Sequence, residues 1–178
     1  MHKRNSKRIG IVIGTLLITG VLTGTAVAVL GSSAGGGVVR VDNRTETSAS
    51  STNATTWLDL PGANALVGVP AGQSRLFDAR FTAESQCQGA NSGYCSVRII
   101  ATNVATGGSI ELNPQSGIDY AFDSDQAGGA SDLWEGNAME RSIRLPGGTY
   151  RIRVQRAVTN NTVSFRLDDW HLAVTTHF

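Results

Sequence analysis

Phe77-Asp78-Ala79-Arg80-Phe81-Thr82 and Tyr150-Arg151-Ile152-Arg153-Val154 alternate apolar and polar side chains residue by residue. Successive side chains of a β-strand point to opposite faces, so this pattern predicts strands with one buried and one wet face. No helical period runs over a useful length from Trp57 onward. The sequence therefore predicts an all-β domain over residues 57–178, an antiparallel β-sandwich of jelly-roll or immunoglobulin-like type.

Nine short apolar-alternating runs, separated by Gly, Pro, Asn and Asp, are the expected strands of this domain. A turn at Pro146-Gly147-Gly148-Thr149 is expected to join two of them into a hairpin. The runs are Thr56–Leu60, Ala65–Val69, Ser74–Ala83, Cys95–Thr102, Ser109–Leu112, Asp119–Phe122, Ala138–Leu145, Thr149–Val158 and Thr162–Thr175.

The last run changes phase at Asp168-Asp169. Its apolar residues are odd-numbered before this pair and even-numbered after it: Val163, Phe165 and Leu167, then Trp170, Leu172 and Val174. One extra residue, a β-bulge, would return all six to one face. The alternative is a strand that passes from one sheet to the other at this point.

The N-terminal residues have the pattern expected of an export signal. Residues 1–8 are basic and form an expected cytoplasmic n-region, and residues 9–30 contain no charge. This length suits a transmembrane helix, and Ala26-Val27-Ala28 suits cleavage of a signal peptide. Both interpretations predict that the rest of the chain lies outside the cytoplasm, either on the cell membrane or secreted.

Residues 31–56 are rich in Gly, Ser, Thr, Ala and Asn. Such a stretch buries too little apolar surface to offset its ordering entropy, which predicts a flexible stalk. The apolar run Val38-Val39-Arg40-Val41 is the exception, and an edge strand is the alternative there.

Charge argues against a nucleic-acid partner. Four of the fifteen basic residues lie within residues 1–8, so eleven remain against fourteen acidic residues, a net charge of −3 for the rest of the chain. Phosphate binding requires a concentrated basic face. The expected partners are instead the membrane, through residues 9–30 if they are not cleaved, and an unidentified protein or glycan.

Two cysteines, Cys87 and Cys95, flank a loop-like sequence of seven residues. An even count outside the cytoplasm favours a disulfide. The spacing suits neither a zinc site nor a redox motif.

No catalytic constellation stands out. His171 follows Asp169 by two residues, which would allow an Asp–His contact, but no nucleophile elbow accompanies it. A glycosidase would need two carboxylates across a cleft, for which Glu135, Glu140, Asp123 and Asp125 are the available residues. We therefore expect no enzyme activity, with a secreted hydrolase as the remaining alternative.

Three further hypotheses concern binding and structure. Asp123, Asp125, Asp132 and Glu135 lie in a Gly-containing stretch that resembles a weak calcium loop, although the EF-hand pattern fails beyond its first residues. The aromatic side chains that would offer a sugar platform are Trp57, Trp134 and Trp170. Arg141 shares the parity of buried apolar residues, which predicts an ion pair with Asp168 or Asp169.

Several segments follow one another in an order similar to that of a group of exported or membrane-anchored actinobacterial proteins that carry no assigned activity. The resemblance covers about residues 57–178 and implies a small β-sandwich outside the cell, without a reaction or a ligand. The segments are Ala79-Arg80-Phe81-Thr82-Ala83-Glu84-Ser85, Cys95-Ser96-Val97-Arg98-Ile99, Tyr120-Ala121-Phe122-Asp123-Ser124, Ala138-Met139-Glu140-Arg141-Ser142, Gly148-Thr149-Tyr150 and Phe165-Arg166-Leu167-Asp168-Asp169-Trp170-His171-Leu172.

The expected function is that of a cell-surface or secreted β-sandwich with a binding or structural role. The alternatives are a calcium-assisted carbohydrate-binding module and a secreted hydrolase. Apart from the weak calcium loop, no feature of the sequence predicts a cofactor.

Overall fold

The computed structural model describes residues 37–89, 93–117, 120–125 and 133–178. The regular secondary structure of these residues consists of β-strands alone, which confirms the all-β class. The strands are β1 (Val38–Glu46), β2 (Ser50–Thr52), β3 (Leu58–Gly89), β4 (Gly93–Asn103), β5 (Ser109–Glu111), β6 (Asp123–Asp125), β7 (Glu135–Val158) and β8 (Val163–His177).

The predicted anchor or signal segment, residues 9–30, lies outside the described residues. Within the described part of the chain, no helix has the length and apolar character that crossing a bilayer would require.

A long antiparallel ribbon of β3 and β7 organises the fold. These strands have 32 and 24 residues and pair from Leu58 opposite Arg156 to Ser85 opposite Glu135. The register shifts between Asp59 and Asn64 and again between Val69 and Ser74. The short runs expected separately along this ribbon are therefore continuous strands that bend together.

The predicted hairpin at Pro146-Gly147-Gly148-Thr149 is wrong, because β7 continues through these residues without a chain reversal. Pro146 lies opposite Ser74 and Gly148 opposite Val69, so the extra residues of β3 at this point bend the ribbon instead of reversing it. Glycine is needed in the bend, since a Cβ atom on Gly147 would lie 2.9 Å from the carbonyl oxygen of Pro70.

Strands neighbour one another in the order β1-β8-β3-β7-β4-β5, and all pairs are antiparallel. We call β1, β8 and residues 74–89 and 135–146 of the ribbon the first layer. The second layer consists of residues 58–69 and 148–158 of the ribbon with β4 and β5. The layers pack face to face in a β-sandwich: a Cβ atom on Gly62 of the second layer would lie 3.5 Å from the Trp170 ring of the first.

The predicted alternation places the core correctly. Phe77, Ala79 and Phe81 from the first layer and Ile152 and Val154 from the second are fully buried in one hydrophobic cluster. Burying each large apolar side chain contributes about 1.5–3 kcal/mol, so this inner face is the main source of stability.

The β-bulge predicted at Asp168-Asp169 is confirmed. Thr82 lies opposite His171 and Glu84 opposite Asp168, so a single residue of β3, Ala83, faces two residues of β8. Asp169 takes a left-handed backbone conformation, with φ of 42°, which Asp tolerates better than most residues. The apolar residues on both sides of the bulge are consequently buried on one face.

The flexible stalk predicted over residues 31–56 is wrong for residues 38–52. β1 pairs with β8 from Val38 opposite His177 to Glu46 opposite Trp170, and β2 continues along β8 from Ser50 to Thr52. The edge strand that was the alternative is therefore present and extends beyond Val41. Main-chain hydrogen bonds to the edge of β8 order this segment although its side chains are mostly polar.

Arg156 ties β2 to the second layer. This side chain, only 5% exposed, donates through Nη1 to the Ser50 carbonyl oxygen (2.6 Å) and through Nη2 to Ser50 Oγ (2.7 Å) and the Ser51 carbonyl oxygen (3.1 Å). Burial lowers the pKa of the Arg156 guanidinium. Residues 50–52 are thus held by a side chain, that of Arg156, which lies 106 positions further along the chain.

The predicted disulfide between Cys87 and Cys95 is present, with a Cα–Cα distance of 5.8 Å. Cys87 lies near the end of β3 in the first layer, and Cys95 lies near the start of β4 in the second. The bond therefore joins the two layers at one end of the sandwich.

Candidate binding face

The outer face of the second layer carries a connected set of polar side chains around Arg98. Arg98 on β4, Gln155 on β7 and Asp59 on β3 lie side by side in one cross-strand row. We use the name Arg98 network for these three residues together with Trp57, Glu111 and Arg153.

Gln155 is the centre of the row. Arg98 donates to Gln155 Oε1 from Nε (2.8 Å) and from Nη2 (2.6 Å), while Gln155 Nε2 donates to Asp59 Oδ1 (2.7 Å). Gln155 is only 8% exposed. Its amide therefore holds a cation and an anion in fixed positions on its two sides.

Two further charges complete the network. Arg153 Nη1 lies 2.7 Å from Asp59 Oδ2, and Arg98 Nη1 lies 3.7 Å from Glu111 Oε2. Glu111 is itself held by the backbone N–H of Ser116, which donates to its Oε1 (2.7 Å). Two guanidinium groups and two carboxylates balance, so the network has no net charge.

Trp57 lies against Arg98, whose Cζ is 4.4 Å from the centroid of the indole ring. This distance suits a cation–π contact. Partial burial lowers the pKa of the Arg98 guanidinium; Glu111 opposes this effect, and nearby Arg153 adds to it. The group stays a cation, because an arginine guanidinium is not deprotonated in proteins.

The three predicted platform tryptophans do not converge, so the platform prediction is wrong. Trp57 is in the Arg98 network, whereas Trp170 is 3% exposed and packs in the core 6.3 Å from the Phe81 ring. Trp134, 38% exposed, has Arg166 at 5.0 Å from its ring centroid. Arg166 belongs to the first layer, since it lies opposite Gln86 in the pairing of β8 with β3.

The predicted calcium residues are only partly described. Asp123 Oδ2 accepts a hydrogen bond from Ser85 Oγ (2.7 Å), and Ser85 Oγ accepts one from Asn137 (2.9 Å). Glu135 is exposed at the start of β7, while Asp132 and the side chain of Asp125 lie outside the described residues. Among the side chains that are described, no three His, Cys, Asp or Glu residues are grouped as metal ligands would be. Calcium binding stays a prediction.

Of the residues considered for catalysis, Asp123 and Glu135 both neighbour Ser85, whereas His171 and Glu140 lie elsewhere in the first layer. His171 Nε2 is 3.3 Å from Asn43 Oδ1, so its contact is with β1 and an amide. Asp169, the carboxylate considered with it, is at the bulge. Glu140 lies opposite Arg80 in the first layer, five residues along β7 from Glu135.

The predicted ion pair of Arg141 with Asp168 or Asp169 is wrong. Arg141 Nη2 donates to Ser116 Oγ (2.9 Å), Nη1 donates to the Glu140 carbonyl oxygen (2.9 Å), and Cζ lies 5.0 Å from the Tyr120 ring centroid. Arg141 is opposite Ala79, whereas Asp168 is opposite Glu84 further along β3, so strand register separates them. Among the described residues, Arg141 is held by a hydroxyl, a carbonyl oxygen and an aromatic ring, while its buried Nε has no hydrogen-bond partner.

Sequence reasoning missed most of the Arg98 network, because Asp59 and Gln155 are 96 residues apart in the chain. One signal was available in the sequence: Gln155 shares the solvent-facing parity of Arg151 and Arg153 on the same strand. Only the register of three strands shows which residues of the other strands join them.

No family model and no curated protein matches this sequence. Among solved structures, the chain is similar to a carbohydrate binding module (CBM6cm-2) from Cellvibrio mixtus lichenase 5A in complex with cellotriose. The identity is 14%, the match covers 77% of this chain and 88% of that one, and the TM-score is 0.28.

Proposed function

We propose that this domain is a non-catalytic binding module outside the cytoplasm, either held at the cell surface or secreted. Its ligand is a neutral, hydroxyl-rich molecule, a glycan being the foremost class, and its ligand-contacting surface is the Arg98 network. The observation that carries the proposal is the fixed row of Arg98, Gln155 and Asp59 beside the Trp57 ring.

The chemistry of the network favours a neutral polar ligand. Balanced charge gives little attraction for an ionic ligand at a distance. Arg98 and Arg153 have five N–H donors each, more than their contacts within the network use, and the carboxylates of Asp59 and Glu111 have spare lone pairs. A half-buried indole beside such groups offers an apolar surface with polar groups around it, which is the usual composition of a small-ligand site.

Pre-organisation is the second supporting argument. Gln155 holds both charged neighbours in place before a ligand arrives, so little side-chain entropy remains to be lost on binding. The strands beneath are paired on both sides of β7 in this layer, which keeps the surface rigid.

Two features support a site outside the cytoplasm. The basic residues 1–8 followed by the uncharged residues 9–30 suit a signal or anchor. The disulfide between Cys87 and Cys95 suits an oxidising compartment. Cleavage of a surface-exposed chain by trypsin added to intact producing cells tests this location, and a chain that is protected until the cells are lysed contradicts it.

Of the two sandwich types expected, we propose the jelly roll. The β3–β7 ribbon passes from one layer into the other, whereas strands of immunoglobulin-like domains stay within one sheet. An experimental structure that separates the ribbon into four independently connected strands would contradict this assignment.

The ligand is tested with the full chain against a glycan panel, followed by titration calorimetry of the best binder. Trp57→Ala is expected to weaken binding by about tenfold or more, because it removes the ring and loosens Arg98. Trp134→Ala is the matched control, since Trp134 also stacks on an arginine but lies away from the network. Equal losses in both variants, or no heat with any glycan, would contradict the proposal.

The same titration, repeated with a calcium chelator, distinguishes calcium-assisted carbohydrate binding from binding by the Arg98 network. Binding that disappears when calcium is chelated assigns the ligand to the acidic segment around Asp123 and Glu135. Binding that survives chelation and is lost in Trp57→Ala assigns it to the Arg98 network.

A further inference from the structure

The long free edge of the sheet is β1. In the described part of the chain, β1 pairs only with β8, so the other side of its nine residues has no strand partner. Val38, Val39 and Val41 are each about half exposed on this strand. An open edge with apolar side chains is a template for pairing with another strand.

The charges along β1 are self-complementary. Arg40, Asp42, Arg44 and Glu46 alternate in sign and lie at every second position, hence on one face. If two copies of β1 lie antiparallel with Asn43 opposite Asn43, then Arg40 faces Glu46 and Asp42 faces Arg44. A two-fold axis repeats both pairs, which gives four opposite-charge pairs along one short edge.

The same charges reject the neighbouring registers. Sliding one strand by two residues, which keeps the same side chains on the same face, places Arg44 opposite Arg44 and Asp42 opposite Glu46 in one direction. A shift in the other direction places Asp42 opposite Asp42 and Arg40 opposite Arg44. Like charges directly opposite each other destabilise a sheet, so one register is selected. In that register the outer face also pairs Val41 with Thr45.

The monomer leaves several of these groups available. Within the described residues, Arg44 and Glu46 form no ion pair: Arg44 Nη1 donates to the Asn43 carbonyl oxygen (2.7 Å), and Glu46 Oε1 accepts from the Thr47 N–H (2.9 Å). Asp42 is 7% exposed and accepts from Arg40 on Oδ1 (2.6 Å), while its Oδ2 has no hydrogen-bond partner among the residues that the structure describes. Arg44 of a second copy would face this carboxylate.

We propose that two copies of this protein associate through β1 in an antiparallel, two-fold pairing centred on Asn43, so that their first layers form one continuous sheet. Both free β1 edges are used in the pair, so the assembly closes as a dimer and does not extend into a fibre. This proposal is independent of the glycan-binding proposal, because β1 and the Arg98 network belong to different layers.

The charge pattern is tested with the full chain in detergent micelles by sedimentation equilibrium. Glu46→Arg alone places two arginines opposite each other, and Arg40→Glu alone places two glutamates opposite each other. Each variant is expected to raise the dimer dissociation constant by about tenfold or more. An equimolar mixture of the two restores opposite charges at both positions and should recover a heterodimer with nearly the affinity of the unsubstituted protein.

Glu140→Arg is the matched control, since Glu140 is an exposed carboxylate of the first layer on β7, away from the free edge. It should leave the dimer unchanged. A monomeric unsubstituted chain, or a mixture that associates no better than either variant alone, overturns the proposal.

Cysteine cross-linking tests the register independently of affinity. Asn43→Cys places one thiol opposite its symmetry mate, where directly opposed Cβ atoms lie about 4.5–5.5 Å apart, so mild oxidation should give a covalent dimer. Thr45→Cys should not cross-link with itself but should do so when mixed with Val41→Cys. Equal self-cross-linking at positions 43 and 45 overturns the proposed register.

Discussion

The two outer faces of the sandwich each carry a tryptophan with an arginine over its ring, but the stacks are held differently. On the second layer, Arg98 lies 4.4 Å from Trp57 and is also fixed by Gln155 and Glu111. On the first, Arg166 lies 5.0 Å from Trp134 and donates to Gln86 at 3.1 Å. In the contacts given by the described residues, the same pair of residue types is thus linked to a charged network in one place and to an amide, that of Gln86, in the other. We therefore expect the partners of each stack, more than the stack itself, to decide which of the two faces binds a ligand.

The third tryptophan, Trp170, lies in the core and not on an outer face, and its substitution has the largest expected effect on stability. Trp170→Ala should lower the free energy of unfolding by about 3–5 kcal/mol, because it leaves a cavity between the layers next to Phe81. Trp134→Ala should cost less than about 1 kcal/mol, since its ring is well exposed. Urea unfolding measures both values, and similar losses in the two variants would contradict the distinction between core and face.

Gln155→Leu should remove the feature that distinguishes the Trp57–Arg98 stack from the Trp134–Arg166 stack. It removes the amide from between Arg98 and Asp59, so both charges lose a hydrogen bond in a half-buried position. A loss of about 1–3 kcal/mol in the free energy of unfolding is expected, together with weaker ligand binding. A double-mutant cycle with Arg98→Met checks the cause: the two substitutions should not be additive. Additive losses would mean that the network is not a unit.

Glu46 belongs to neither tryptophan–arginine stack, and its substitution has the smallest expected effect on stability. Backbone N–H groups of Thr47 and Ser48 donate to its carboxylate and lower its pKa from the ordinary value of 4.5. A carboxyl group with a lowered folded-state pKa stabilises the protein above its unfolded pKa, and the stabilisation is lost as the pH falls through the folded value.

The stability difference between the unsubstituted protein and Glu46→Gln should therefore be greatest near neutral pH and should shrink as the pH falls below 4.5 and through the lower folded-state pKa. Thermal unfolding at a series of pH values measures it, at a protein concentration low enough to keep the chain monomeric. A difference that widens in acid would contradict this role for Glu46.

Sequence periodicity was sufficient for the parts of the fold that depend on one strand at a time. The change of parity at Asp168-Asp169 predicted the bulge, because a one-residue slip moves every later side chain to the other face. The Cys87–Cys95 bond was predictable from the spacing of the cysteines and from the expected location outside the cytoplasm.

Periodicity failed where the order depends on a partner strand. β1 and β2 have little apolar character of their own, and β8 and Arg156 hold them in place. Likewise, Pro146-Gly147-Gly148-Thr149 has the composition of a hairpin turn, yet the matching irregularity in β3 makes it a bend. The Arg98 network failed for the same reason, since strand register alone brings its members together.

The ribbon of β3 and β7 has a mechanical consequence. Because these two strands are shared between the layers, neither layer can detach or hinge without pulling on the other. Hydrogen bonds of residues 58–69 and 74–89 are therefore expected to open together, as one cooperative unit in amide exchange. A force applied through the N-terminal strand would be transmitted by way of β8 into this shared ribbon and so into the whole domain.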